Sequence, residues 1–192
     1  MDHQNPPPAV PSLARSIAIG AIGFCLVSLC VFATVAFAER WMYQTLGAIG
    51  SYLAWTLLFI LLSGAVFGSL VVGRWRLPRF YFLFGLAFFA YAAGWVIAYF
   101  TLGNAAGEWL GSLAGSVLMA LVFAAGFGAL RSTLKLSAVL FVSNSLGYFL
   151  GSALNNSVGG RLGMLLWGAA YGLFFGAGIG AALHLVQQHQ RR

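Results

Sequence analysis

Ten basic and three acidic residues are placed so that they cut this 192-residue chain into six uncharged runs, 16–38, 41–73, 80–107, 109–130, 136–160 and 162–190. A bilayer core about 30 Å thick needs roughly 20 apolar residues at a helical rise of 1.5 Å per residue. Even the shortest run, 109–130, has 22 residues. Backbone N–H and C=O groups in hydrocarbon need partners within their own segment, and the runs lack the apolar/polar alternation of barrel strands. The expected fold class is therefore an all-α polytopic membrane protein, a compact bundle of six transmembrane helices with short loops. The spans are expected near 16–38, 45–73, 80–101, 109–130, 136–154 and 162–186, between a flexible tail at 1–14 and a short tail at 189–192. Composition agrees: 61% of residues are hydrophobic and 7% charged, against roughly a quarter charged in soluble domains.

The basic residues set an orientation. Arg15, Arg74, Arg76, Arg79, Arg131, Lys135, Arg191 and Arg192 fall on one side of such a bundle, and only Arg40 and Arg161 fall on the other, together with Glu39 and Glu108. The positive-inside rule then predicts both termini in the cytoplasm, and the expected location is the bacterial inner membrane. A net charge of +7 reads as a topology signal here, with no basic face for nucleic acid. Arg74, Arg76, Arg79, Arg131 and Lys135 are expected to anchor the cytoplasmic turns to anionic headgroups. At the outer rim, Glu39 and Glu108 are expected to pair with Arg40 and Arg161. Ala36-Phe37-Ala38 imitates a signal-peptidase site, but the preceding 16–38 run exceeds a signal h-region of about 7–15 residues, so the first span is read as retained.

Short connections predict antiparallel neighbours. The 41–73 run is long for one span, which implies tilt or an interfacial stretch over Met42–Gly47. Asn155 and Asn156 read as a turn with Gly159 and Gly160. Two repeat registers compete. One aligns Phe67-Gly68-Ser69-Leu70 with Phe127-Gly128-Ala129-Leu130 and Ile179-Gly180-Ala181-Ala182, as three hairpins would; the other relates Val31-Phe32-Ala33 to Val122-Phe123-Ala124, as inverted repeats would.

Two patterns offer site candidates. Gly168, Gly172, Gly176 and Gly180 recur every fourth residue and form one helical stripe, a glycine zipper that lets another backbone approach closely. Shorter versions occur at Gly107, Gly111 and Gly115 and at Gly64 and Gly68; these are candidates for helix packing or an oligomer seam. The second pattern is Ser143-Asn144-Ser145, mid-span in 136–154. There a local break could expose backbone dipoles to a solute, or Asn144 could hydrogen-bond a facing helix while the serines bond their own helix.

Enzyme chemistry finds no support in the residues. Cys25 and Cys30 are five apart, wrong for a metal pair or a disulfide on one helix; His184 and His189 lack a carboxylate partner; no GxSxG elbow occurs. No metal or cofactor is expected. With no Asp, Glu or His at mid-depth, ion-coupled transport is disfavoured. What remains is a passive transporter or channel-like permease for a small uncharged solute through the Ser143–Ser145 region. The alternative is a non-catalytic assembly subunit that docks through glycine faces as a homo-oligomer or onto other membrane subunits. The bilayer is the partner common to both readings.

Overall fold

The computed structural model describes residues 10–72 and 76–189, so Arg74, Arg191 and Arg192 lie outside the described residues. It is all-helical, with five helices: α1 (Leu13–Phe67), α2 (Arg76–Leu102), α3 (Ala105–Gly126), α4 (Thr133–Val158) and α5 (Gly160–His189), plus a single 3-10 turn at Leu130–Ser132. All five are long and apolar enough to cross a membrane, and the chain is a multi-pass membrane protein.

The expected six separate helices thus appear as five, because the first two run together through a single residue. Gly47, at φ 67° and ψ −179°, leaves the helical region inside α1. Without a Cβ it takes this left-handed conformation at little steric cost. The chain reverses there: the Trp55 indole N–H donates to Thr34 Oγ1 at 3.1 Å, and the Phe24 and Phe59 rings stack at 5.5 Å. α1 is therefore a hairpin with arms on either side of Gly47. Met42–Leu46, expected as an interfacial lead into the second span, instead completes the first arm.

Two more hairpins follow, α2–α3 with its tip at Gly103 and α4–α5 with its tip at Gly159. Asn155 and Asn156, expected in a turn, are helical in the last turn of α4, where the Asn155 carbonyl accepts from Gly159 N–H at 2.7 Å. The three tip glycines are equally spaced in the chain and each ends a related string: Thr45-Leu46-Gly47, Thr101-Leu102-Gly103 and Ser157-Val158-Gly159. In this register Phe24, Phe80 and Leu136 are equivalent and all buried, as are Phe67, Phe123 and Ile179. The three-hairpin register read from the sequence is therefore displaced: the partner of Phe67 is Phe123, where that register expected Phe127.

The hairpins pack with α5 at the centre, its residues the most buried of the five helices. Gly172 of the α5 glycine row meets Cys25 and Ser28, Gly176 meets Gly20, and Gly180 meets Ser16, all on the first arm of α1. A Cβ on Gly172 would lie 2.6 Å from the Cys25 Cα, closer than two carbons can sit, so the absent side chain sets the helix separation. At the end holding both termini, the Gln187 side chain bonds Leu70 O, Leu183 O and Val72 N–H, tying α5 to the chain that leaves α1. The His184 ring nitrogen lies 2.8 Å from Pro11 O. Arg79 donates to Gly126 O at 3.2 Å and covers the Phe127 ring, while Arg76 opens α2, Arg131 lies in the 3-10 turn and Lys135 in the first turn of α4.

Candidate functional site: an aromatic cavity above a buried polar cluster

Of the three residues expected to form a path, Asn144 and Ser145 share one cluster and Ser143 lies apart from it. α4 runs unbroken from Thr133 to Val158, so Ser143–Ser145 does not interrupt the helix. Ser143 donates to Leu140 O at 3.1 Å on its own helix and packs on Gly178. Asn144 is fully buried and cross-links three helices: its amide N–H donates to Ser112 Oγ of α3 at 2.6 Å, and its carbonyl accepts from the Tyr91 hydroxyl of α2 at 2.6 Å. Ser145 shares a 2.8 Å bond with Ser112, and the Tyr171 hydroxyl of α5 donates to that of Tyr91 at 3.2 Å. Four helices thus meet in one hydrogen-bonded cluster, which satisfies Asn144 where no water could.

Directly above that cluster, toward the hairpin tips, lies a cavity of about 310 Å³. Its walls are aromatic, with Trp55, Trp95, Trp167, Tyr52 and Tyr148 among them; Tyr91 and Tyr171 line its deep end, Tyr43 and Tyr99 stand nearest the tips, and Glu39 lies in the chain at the level of the three tryptophans. Below Tyr91 the bundle closes on phenylalanine. Phe24, Phe67, Phe84 and Phe175 are fully buried, with ring centroids 5.6 Å apart for Phe67–Phe84 and 6.0 Å for Phe24–Phe175. The phenylalanine layer closes the cavity on the side of His184 and Gln187.

A common construction positions the aromatic walls. Eight residues before and eight after each tip glycine stand Glu39 and Trp55 in the first hairpin, Trp95 and Gly111 in the second, Gly151 and Trp167 in the third. In the second and third, the indole lies over the opposing glycine, the two residue types having exchanged arms; a Cβ on Gly111 would lie 3.1 Å from the Trp95 Cδ1. One turn deeper the Tyr91 ring lies over Gly115, while Gly147 meets the Tyr171 backbone. Gly107 continues the row against Ala98 and Leu102, while Gly64 and Gly68 meet Tyr81 and Leu77 of α2. Gly111, Gly115 and Gly151 are therefore seats for Trp95, Tyr91 and Trp167 of the cavity, whereas Gly64, Gly68 and Gly107 pack side chains and backbone outside it. The Trp95 and Trp167 indole N–H groups are buried with no partner among the described residues.

Glu39 departs from this construction. It occupies the place held by Trp95 and Gly151 in the other hairpins, and it is exposed. The expected rim ion pairs are not formed among the described residues; the Arg161 guanidinium instead lies over the Phe37 ring, 4.9 Å from its centroid. Sequence reasoning did not single out the cavity, although its signal was in view: Trp95 and Tyr91, and Trp167 and Tyr171, have the same four-residue spacing as the glycine pairs they cover. No protein-family model, curated protein or solved structure matches this chain, and the chemistry of the cavity itself must carry the functional reading.

Proposed function

We propose that the protein is a passive, channel-like permease of the bacterial inner membrane that admits a small solute of low polarity to the aromatic cavity from the outer face. The observation that carries the reading is the cavity of about 310 Å³, closed on one side by phenylalanine. Its size falls within the range of about 300–1,000 Å³ typical of small-molecule sites, with mostly apolar walls and few polar groups. The lining carries one formally charged side chain, Glu39, so the solute is uncharged or singly positive. The reversal at Gly47 supports reading α1 as two crossings, six in all, with both termini on one side. The excess of Arg and Lys on that side supports a cytoplasmic assignment.

In this reading Ser143–Ser145 is no channel wall. Asn144, Tyr91 and Tyr171 are the fixed floor of the cavity, and passage requires the phenylalanine seal beneath them to open. The assembly-subunit alternative is less favoured, since the α5 glycine stripe that would have docked a partner is covered by α1 within the chain.

The test is flux into proteoliposomes, with glycerol and tetramethylammonium as probes. Both the wild type and Val35→Trp, which fills the cavity from its wall, should elute as folded protein, and the substitution should abolish any flux above that of protein-free vesicles. Flux that persists in Val35→Trp, or none above background for either probe in the wild type, removes the permease reading.

A further inference from the structure

A second volume adjoins the cavity. The second arm of α1 and α2 meet through the Phe59–Phe88 pair, with centroids 5.3 Å apart, and again through Tyr52 and Phe100 near the tips, at 5.8 Å. Between these two contacts lies an apolar groove of about 350 Å³ on the flank of the bundle, lined by Ile49, Leu53, Phe89 and Ala93 among others. Tyr52, Thr56, Ala92 and Val96 line both the groove and the central cavity, so the two volumes share one wall. Ile49, Leu53, Phe89 and Phe100 are exposed on this flank, which in a membrane means exposed to acyl chains.

We propose that this groove is a lateral portal, and that the site takes a single-chain amphiphile with a cationic head from the outer leaflet. The chain lies along the groove between α1 and α2, and the head occupies the central cavity. The groove offers hydrocarbon-like walls to the chain. For the head, aromatic faces attract a cation through the negative faces of their rings, best when it is poorly hydrated. Glu39 supplies the matching charge. It has no ion-pair partner among the described residues, and it stands where the equivalent places of the other hairpins carry Trp95 and Gly151. A residue that breaks a local construction with no packing gain is expected at a functional position. An anionic head would meet Glu39 with no balancing lysine or arginine in the lining.

The proposal rests on the cavity being a ligand site, and the experiment separates the two claims. Radiolabelled dodecyltrimethylammonium and tetramethylammonium are measured by scintillation proximity on the full chain in nanodiscs, with protein-free nanodiscs as the blank. Dodecyltrimethylammonium should bind saturably and at least about tenfold more tightly than tetramethylammonium, as expected when several methylenes leave water for a protein groove. Ala93→Phe, which fills the groove alone, should reduce that advantage to about threefold or less. Leu53→Trp closes the same groove from the α1 side and serves if the first variant misfolds. Glu39→Gln should weaken both ligands by roughly fivefold, the scale of one partly exposed charge contact. A chain that adds no affinity, or an advantage that survives both groove variants, overturns the portal and leaves the cavity site standing. Binding of dodecyl sulfate as tight as that of dodecyltrimethylammonium overturns the cationic head. Failure of both cations to bind saturably overturns the cavity as a ligand site, and the portal with it.

Discussion

Asn144 and the serines around it show how one helical turn can hold residues of opposite consequence. Asn144 uses its carbonyl on Tyr91 and its amide on Ser112, so Asn144→Leu leaves Ser112 and Tyr91 each short of a partner at full burial. The expected loss is about 1–3 kcal/mol, read as a lower midpoint of thermal unfolding in detergent. Ser112→Ala should fall in the same direction. Ser116, one turn along α3, is just as buried, but its hydroxyl has no partner among the described residues, so Ser116→Ala should be neutral or slightly stabilising. Equal losses for Ser112→Ala and Ser116→Ala would show that the cluster contributes no more than bulk. From the sequence Asn144 was identifiable as a buried amide needing a partner, but not the partners themselves. Tyr91 and Ser112 are 53 and 32 residues distant, and helical periodicity says nothing about which helix faces which.

At the scale of helices, the glycines explain the spacing of the bundle. Gly176 approaches Gly20, and Gly172 approaches Cys25 and Ser28, so α5 and the first arm of α1 are held nearly backbone to backbone. Gly172→Ile inserts a branched side chain into this seam. The cost of such overpacking is typically 1–3 kcal/mol, here at its upper end because the obstructing atoms are largely backbone. The measurement is unfolding of the purified protein in detergent. An unaltered midpoint would mean that the seam is looser than the geometry requires. Helix existence was legible from the charge gaps because hydrocarbon tolerates charges badly along its whole depth. The ends of the first two helices were not. Gly47 lies within an uncharged run that extends well past it, so charge placement cannot mark where the chain turns, and only the recurrence of Thr-Leu-Gly at Gly103 could have done so.

For the molecule as a whole, three hairpins of one plan have diverged where they face the cavity. Their buried positions agree in kind, whereas the positions eight residues from each tip hold Glu39 and Trp55, Trp95 and Gly111, or Gly151 and Trp167. The proposed orientation has its own test. In a background with Cys25 and Cys30 replaced, single cysteines at Gly103 and Ser157 should react with an impermeant thiol reagent from outside intact cells, and one at Thr133 should not. The reverse pattern would invert the bundle and turn the cavity mouth to the cytoplasm.

The seam between α1 and α5 also dictates an order of events during synthesis. The first arm of α1 packs on α5, and at about 5–20 residues per second the two emerge roughly 7–30 s apart during translation. Throughout that interval Ser16, Gly20 and Ser28 face lipid or the insertion machinery, with no α5 backbone to cover them. Only when Gln187 emerges can its side chain tie α5 to Leu70 and Val72, so a chain truncated before it would be inserted yet left open, a ready substrate for membrane proteases.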